Sequence, residues 1–161
     1  MRTSDSTVRP SVLDRLIDLE PREGADMEVS RAESESRHRR AVLRDLEWLL
    51  NTRRTTLPAD RSQTELRSSV HHYGIPDVTS LSADSKDAQG YLLSRVEESI
   101  RLFEPRLTDI RVDLAEGDDG EGGSRAVRLR VEATLLMDPD PERIVFDTVL
   151  ETVSGSFQVE E

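Results

Sequence analysis

The hydrophobic period of this chain changes at a single proline. Before it, Leu92, Val96, Ile100 and Phe103 recur at helical spacing, with Leu93 and Leu102 beside them and Arg95, Glu97, Glu98 and Arg101 largely on other faces. The segment 91–103 is therefore predicted to be an amphipathic helix. After it the period is two: Ile110, Val112 and Leu114 alternate with Asp109, Arg111 and Asp113, as in a half-buried strand. Pro105 has no amide hydrogen and pushes its predecessor out of the α region, so Glu104 falls at or just past the helix end. A carboxylate there meets the negative end of the helix dipole at a cost of about 0.3–1 kcal/mol, which Arg106, two residues on, can offset. Glu104, Pro105 and Arg106 thus form a corner between helix and strand, and the question is whether that corner is only a stop signal or a site.

The strands continue to the C-terminus. Val127, Leu129, Val131, Ala133 and Leu135 alternate with Arg128, Arg130, Glu132 and Thr134, so a second strand pairs back antiparallel across the Gly- and Asp-rich loop 116–124. That loop lacks the fixed ligand spacing of an EF-hand. Residues 138–141 (DPDP) make the next turn. The third strand, 144–153, is apolar on both sides, which points to a central or doubly covered position. Gly155 interrupts it, and Phe157 and Val159 form a short last edge segment able to accept a strand from another chain.

The N-terminal part is helical. Pro10 and Ser11 open a short helix, 11–19, and 22–35 is a polar connection. Ser36 is a plausible cap for a helix over 37–51, whose stripe is Val42, Leu43, Leu46, Leu49 and Leu50. Trp48 projects about a quarter-turn off that stripe beside Ala41, either partly buried under a loop or serving as a protein–protein anchor. A short helix over 66–73 is closed by Gly74 and Pro76, and Asp84 or Ser85 caps the helix that contains Tyr91. The fold class is α+β: N-terminal helices, then an antiparallel three- to four-stranded meander with the 91–103 helix packed on the sheet. Residues 1–35 are expected to be a flexible arm carrying the short helix, and 36–161 a single domain.

Charge narrows the function. With 34% charged residues, 35% hydrophobic residues and a formal net charge of −11, the chain is a poor general binder of nucleic acid or anionic membrane. The charge is uneven: nine Arg oppose six acids over 31–67, whereas fourteen acids oppose five Arg from Thr108 onward. These are two solvated faces, or two faces turned to different neighbours. There is no Cys and no apolar run long enough to span a bilayer, which leads to the expectation of a cytoplasmic protein.

Catalytic groups are sparse. The chain has no Gly-rich phosphate loop, no nucleophile elbow, and no His with an evident Ser partner. His71 and His72 are adjacent, a spacing that cannot place both rings on one metal from one helix face. A glycosidase-type acid at Glu104, with Asp109 as second carboxylate, is the one arguable case. The Arg106 cation suits a carboxylate rather than the protonated acid such chemistry requires, and six aromatics in all make a poor sugar cleft. No catalytic residue, metal, cofactor or small-molecule substrate is expected.

Several stretches together carry a resemblance: LRDLEWLLNTRR (43–54), SVHHYGIPDVTSL (69–81), SRVEESIRLFEPRLTDIRV (94–112) and VFDTVLE (145–151), with PSVLDRL (10–16) ahead of them. In this order they resemble the TssE family, the small baseplate subunits of bacterial type VI secretion systems, relatives of the phage baseplate wedge proteins often labelled lysozyme-like. The resemblance implies a structural subunit of a contractile-tail baseplate that joins the wedge to the tail sheath and templates sheath polymerisation, in the cytoplasm on a baseplate docked at the inner membrane complex. Its partners would be other wedge subunits and sheath subunits. The alternatives are a peptidoglycan hydrolase and an unrelated cytoplasmic adaptor. The family's Glu-Pro-Arg motif maps onto Glu104, Pro105 and Arg106, implying a partner-binding corner, to which Trp48 is added as a candidate anchor. On this reading Glu104→Gln and Arg106→Ala are expected to leave the protein folded. If instead Glu104 is buried against Arg106 within the subunit, its role is to shape the corner, and the wedge contact lies elsewhere.

Overall fold

The computed structural model describes residues 8–17, 30–55, 62–78, 85–115, 126–138, 140–151 and 154–160. Along the chain these form α1 (Val12–Leu16), α2 (Arg31–Asn51), α3 (Thr64–Arg67), a 3-10 turn (Val70–His72), α4 (Lys86–Phe103), β1 (Leu107–Leu114), β2 (Ala126–Leu135), β3 (Glu142–Glu151) and β4 (Ser156–Glu160). The strands make one antiparallel meander in the order β1-β2-β3-β4. α4 lies against β1, α2 lies against β4, and the two helices touch each other. The α+β class and the 91–103 helix on the sheet are as the periodicity predicts.

Side-chain alternation builds the core. On β2, Val127, Leu129, Val131, Ala133 and Leu135 are buried while Arg128 and Arg130 face water. They join Ile144, Phe146 and Leu150 of β3, Phe157 of β4, and the stripes Val42, Leu46, Leu49 and Leu92, Val96, Ile100 of the two long helices. Each fully buried aliphatic or aromatic side chain contributes about 1.5–3 kcal/mol. β3 is central but covered on one face only. Its outward Val145 is 45% exposed, beside the cross-strand pairs Arg130–Asp147 and Arg143–Glu132.

β1 does not keep one parity. Its register slips between Thr108 and Arg111, and Asp109 adopts φ 52°. This bulge turns both Leu107 and Ile110 to the core, and Leu114, at the strand end, is left 40% exposed. At the opposite edge Asn51 grips Phe157: its Oδ1 accepts from the Phe157 amide and its Nδ2 donates to the Phe157 carbonyl, both at 2.9 Å. A side-chain amide here takes the place of a neighbouring strand, so β4 is not an open edge at Phe157.

Several boundaries differ from the sequence expectation. α2 starts at Arg31, capped by Ser30 through the Glu33 amide at 3.3 Å, not at Ser36. Its first turns bury little, so no apolar period marks them; the pairs Arg31–Glu35 and Arg37–Glu33 support them instead, at about 0.2–0.5 kcal/mol each. α4, by contrast, begins at Lys86 under Ser85, one of the two caps expected. The helix expected over 66–73 is two short turns, because the Ser69 hydroxyl bonds the Leu66 carbonyl and accepts from the His71 amide. Gly74 closes them at φ 95°, where a Cβ would lie 2.1 Å from the Thr52 carbonyl oxygen. In the short helix near the N-terminus α1 covers Val12–Leu16 only, and none of its residues is buried. The loop expected at 116–124 and residues 22–29 of the polar connection fall outside the described residues.

Candidate functional site

Glu104 is the C-cap of α4, with φ −118° and ψ 80°, and its amide still donates to the Ile100 carbonyl at 2.9 Å. Pro105 then turns the chain, and Arg106 folds back. Arg106 Nε donates to Glu104 Oε1 at 2.6 Å and Nη2 to Oε2 at 2.5 Å, while the Arg106 amide also donates to Oε1 at 3.2 Å. Glu104 is only 4% exposed. The unfavourable carboxylate at the helix end is thus neutralised by the base across the proline. The Arg106 carbonyl accepts from the Leu136 amide at 2.8 Å, which ties the corner to the end of β2.

The corner is also bonded to α2 and α1. Arg106 Nη2 reaches Asp45 Oδ2 at 2.6 Å, Arg44 reaches Asp45 Oδ1 at 2.7 Å, and Arg44 Nη2 reaches Asp14 Oδ1 at 2.7 Å. Asp14 completes a capping box with Ser11. Burial alone would lower the Arg106 pKa, but the hydrogen bonds it donates to Glu104 and Asp45 outweigh that and hold the guanidinium well above its ordinary range. Burial would raise the Asp14 carboxyl; the Ser11 and Arg44 bonds outweigh that and hold it below its usual value.

Beside the corner is a cleft of about 860 Å³. Leu13 of α1, His38 and Trp48 of α2, Tyr73, Phe103 and Leu136 line it, together with Glu104, Pro105 and Arg106. Tyr73 and Phe103 meet edge to face at 5.2 Å. Trp48 is 49% exposed, and the Arg44 guanidinium stands 5.0 Å over its ring.

All four residues singled out from the sequence, Glu104, Pro105, Arg106 and Trp48, therefore line one cleft. Their exposure differs. Pro105 and Trp48 face solvent, Arg106 is half-buried, and Glu104 is enclosed with both oxygens taken by Arg106. That enclosure makes Glu104 a shaping residue within the subunit. It is also a poor setting for the hydrolytic acid, and Asp109, the expected second carboxylate, is exposed at the β1 bulge.

Sequence reasoning missed Asp14, His38 and Asp45. The available signal was faint: Asp45 interrupts the apolar stripe between Val42 and Leu46, and His38 lies two turns before it on the same helix face. Nothing in the pattern links them to Arg106, which is 61 residues from Asp45 in the chain.

The model of one protein family, described as baseplate wedge protein gp25, matches residues 36–140. The matched stretch runs from α2 through β2 and contains Trp48 and the whole Glu-Pro-Arg corner. No curated protein matches the sequence.

Proposed function

This chain belongs to the baseplate wedge protein gp25 family, and from that premise we propose that it joins wedge to tail sheath in a type VI secretion baseplate. A member of this family is a structural component that assembles with other baseplate subunits. The finer reading is that the wedge is met by the exposed Pro105 and Trp48 of the cleft beside the corner rather than by the enclosed Glu104, and the β1–β4 sheet gives the first sheath subunits a template to build on.

The observation that carries the proposal is the division of labour at the corner. Glu104 and Asp45 are both bonded to Arg106 inside the subunit, so the three fix the shape of the cleft, while Trp48 and Pro105 remain exposed beside it. An exposed Trp is the kind of anchor that dominates protein interfaces. Residues 8–17 act as an arm clamped to the domain through the Asp14–Arg44 ion pair, and Leu13 on it, 44% exposed, lines the cleft. The role is structural rather than enzymatic. Among the described residues no helix is long and apolar enough to cross a membrane, and the proposed location is the cytoplasmic baseplate at the inner membrane complex.

Trp48→Ala tests the docking half of this proposal. The variant is expected to fold normally and to lose co-purification with the wedge subunits of the same baseplate. Unchanged co-purification would remove Trp48 from the interface.

A further inference from the structure

Three arginines from three parts of the chain meet around one carboxylate. Arg67 of α3 reaches Glu98 at 3.3 Å and Arg95 of α4 reaches it at 2.8 Å. Arg54, just past α2, meets no carboxylate: its Nη1 donates to His72 Nε2. A guanidinium cannot accept, so the ring is neutral and carries its proton on Nδ1. Among the described residues Glu98 is the only acid that pairs with any of the three arginines. Burial, and then the Arg95 cation, hold Arg54 below its ordinary range against the pull of Glu98. The cluster thus keeps an excess of positive charge in a chain whose formal net charge is −11. Apolar surface lies beside it. Arg95 stands 5.3 Å over the ring of Tyr91, which is 44% exposed, and Val70, two residues before His72, is 89% exposed. None of these side chains lines the cleft beside Glu104.

We propose that Arg54, Arg67 and Arg95 form a binding surface for an acidic peptide segment of another protein, whose carboxylates pair with Arg54 and Arg67 while its apolar side chains cover Tyr91 and Val70. The proposal goes beyond the docking reading of Trp48 and Pro105 and does not depend on it. Charge selects the occupant. A guanidinium takes a carboxylate through two parallel hydrogen bonds, and the Arg54 side chain, bonded to a neutral ring, has its charge unmatched. A nucleic acid is disfavoured, because a polyanion that extends past the patch meets the field of an acidic chain. The chain's own acidic stretches fit less well. Residues 116–124 carry four acids but no large apolar side chain. Residues 18–29 are tied through Ser30 to the start of α2, about 30 Å from Arg54 at the rise of a helix.

The test is fluorescence anisotropy of the full-length protein with a short fluorescein-labelled peptide of glutamate, leucine and tyrosine, beside the same peptide with glutamine for glutamate and a single-stranded oligonucleotide of equal charge. The glutamate peptide is expected to bind, more weakly as salt rises, and the glutamine peptide is not. Arg67→Glu, at a side chain 50% exposed and so tolerant of change, weakens binding about tenfold, as for one lost charge-assisted hydrogen bond; Arg54→Gln does the same. Arg143→Glu, an identical charge change on the sheet, and Trp48→Ala both bind as the wild type does. Equal weakening by Arg143→Glu, equal or tighter binding of the oligonucleotide, loss of binding in Trp48→Ala, or no binding of the glutamate peptide would overturn the inference. So would a gain of binding when the acids of 116–124 are replaced by their amides, which identifies that stretch as the occupant. Each of these failures leaves the wedge reading, tested by co-purification of Trp48→Ala, standing on its own result.

Discussion

Arg106 closes on Glu104 across Pro105 through two parallel hydrogen bonds, and the same guanidinium reaches Asp45 of α2 at 2.6 Å. One side chain therefore joins the end of α4, the start of β1 and the middle of α2. The corner is thus a structural joint within the subunit.

Arg106→Ala leaves Glu104, 4% exposed, without its cation, and is expected to cost about 3–5 kcal/mol. Glu104→Gln keeps the side-chain shape and one acceptor, so its cost should be smaller. Urea unfolding of both, with the double variant Glu104→Leu, Arg106→Met closer to the wild type than Arg106→Ala, checks the assignment.

Stability should fall as pH drops below the ordinary histidine range. Burial first, and then the Arg106 cation, push His38 below 6.5, against the pull of Asp14, Glu104 and the Leu136 backbone. The unfolded chain binds a proton as pH falls through 6.5 while the native imidazole resists. The stabilisation is thus complete above 6.5 and is lost as pH falls through the folded value. His72 shifts in the same direction, so His38→Phe should remove only part of the slope between about pH 7.5 and about pH 5.5, measured by urea midpoints.

Two glycines should respond oppositely to alanine. Gly74 has φ 95° and a Cβ site 2.1 Å from the Thr52 carbonyl oxygen, so Gly74→Ala is expected to cost about 2 kcal/mol or more. Gly90 lies within α4 with nothing within 4 Å of its Cβ site, so Gly90→Ala should gain about 0.5–1 kcal/mol. Thermal melts of the two variants provide the comparison.

Asn51→Ala removes both bonds to Phe157 and should cost about 1–2 kcal/mol. It also exposes a strand edge that another chain can pair with. Light scattering should therefore show more self-association in the variant than in the wild type at equal concentration.

How much of this was legible depends on range. The period change at Pro105 and the alternation of 127–135 are local, and both α4 and β2 were readable from them. The first turns of α2 were not, because Ser30 and the pairs around Glu33 and Glu35 hold a solvated helix without an apolar stripe. The β1 bulge at Asp109 was hidden because it shifts parity within a run that still alternates. Glu104, Arg106 and Trp48 stood out as odd residues, but their company with His38 and Asp45 is set by how α2 and α4 lie on the sheet.

The most direct test of the central claim is to image sheath assembly in cells that lack this protein and then receive it back as wild type or Trp48→Ala. No sheaths on baseplates are expected in its absence, with full recovery by the wild type and loss of recovery with a folded Trp48→Ala protein. Sheaths that assemble at normal frequency without the protein would contradict it.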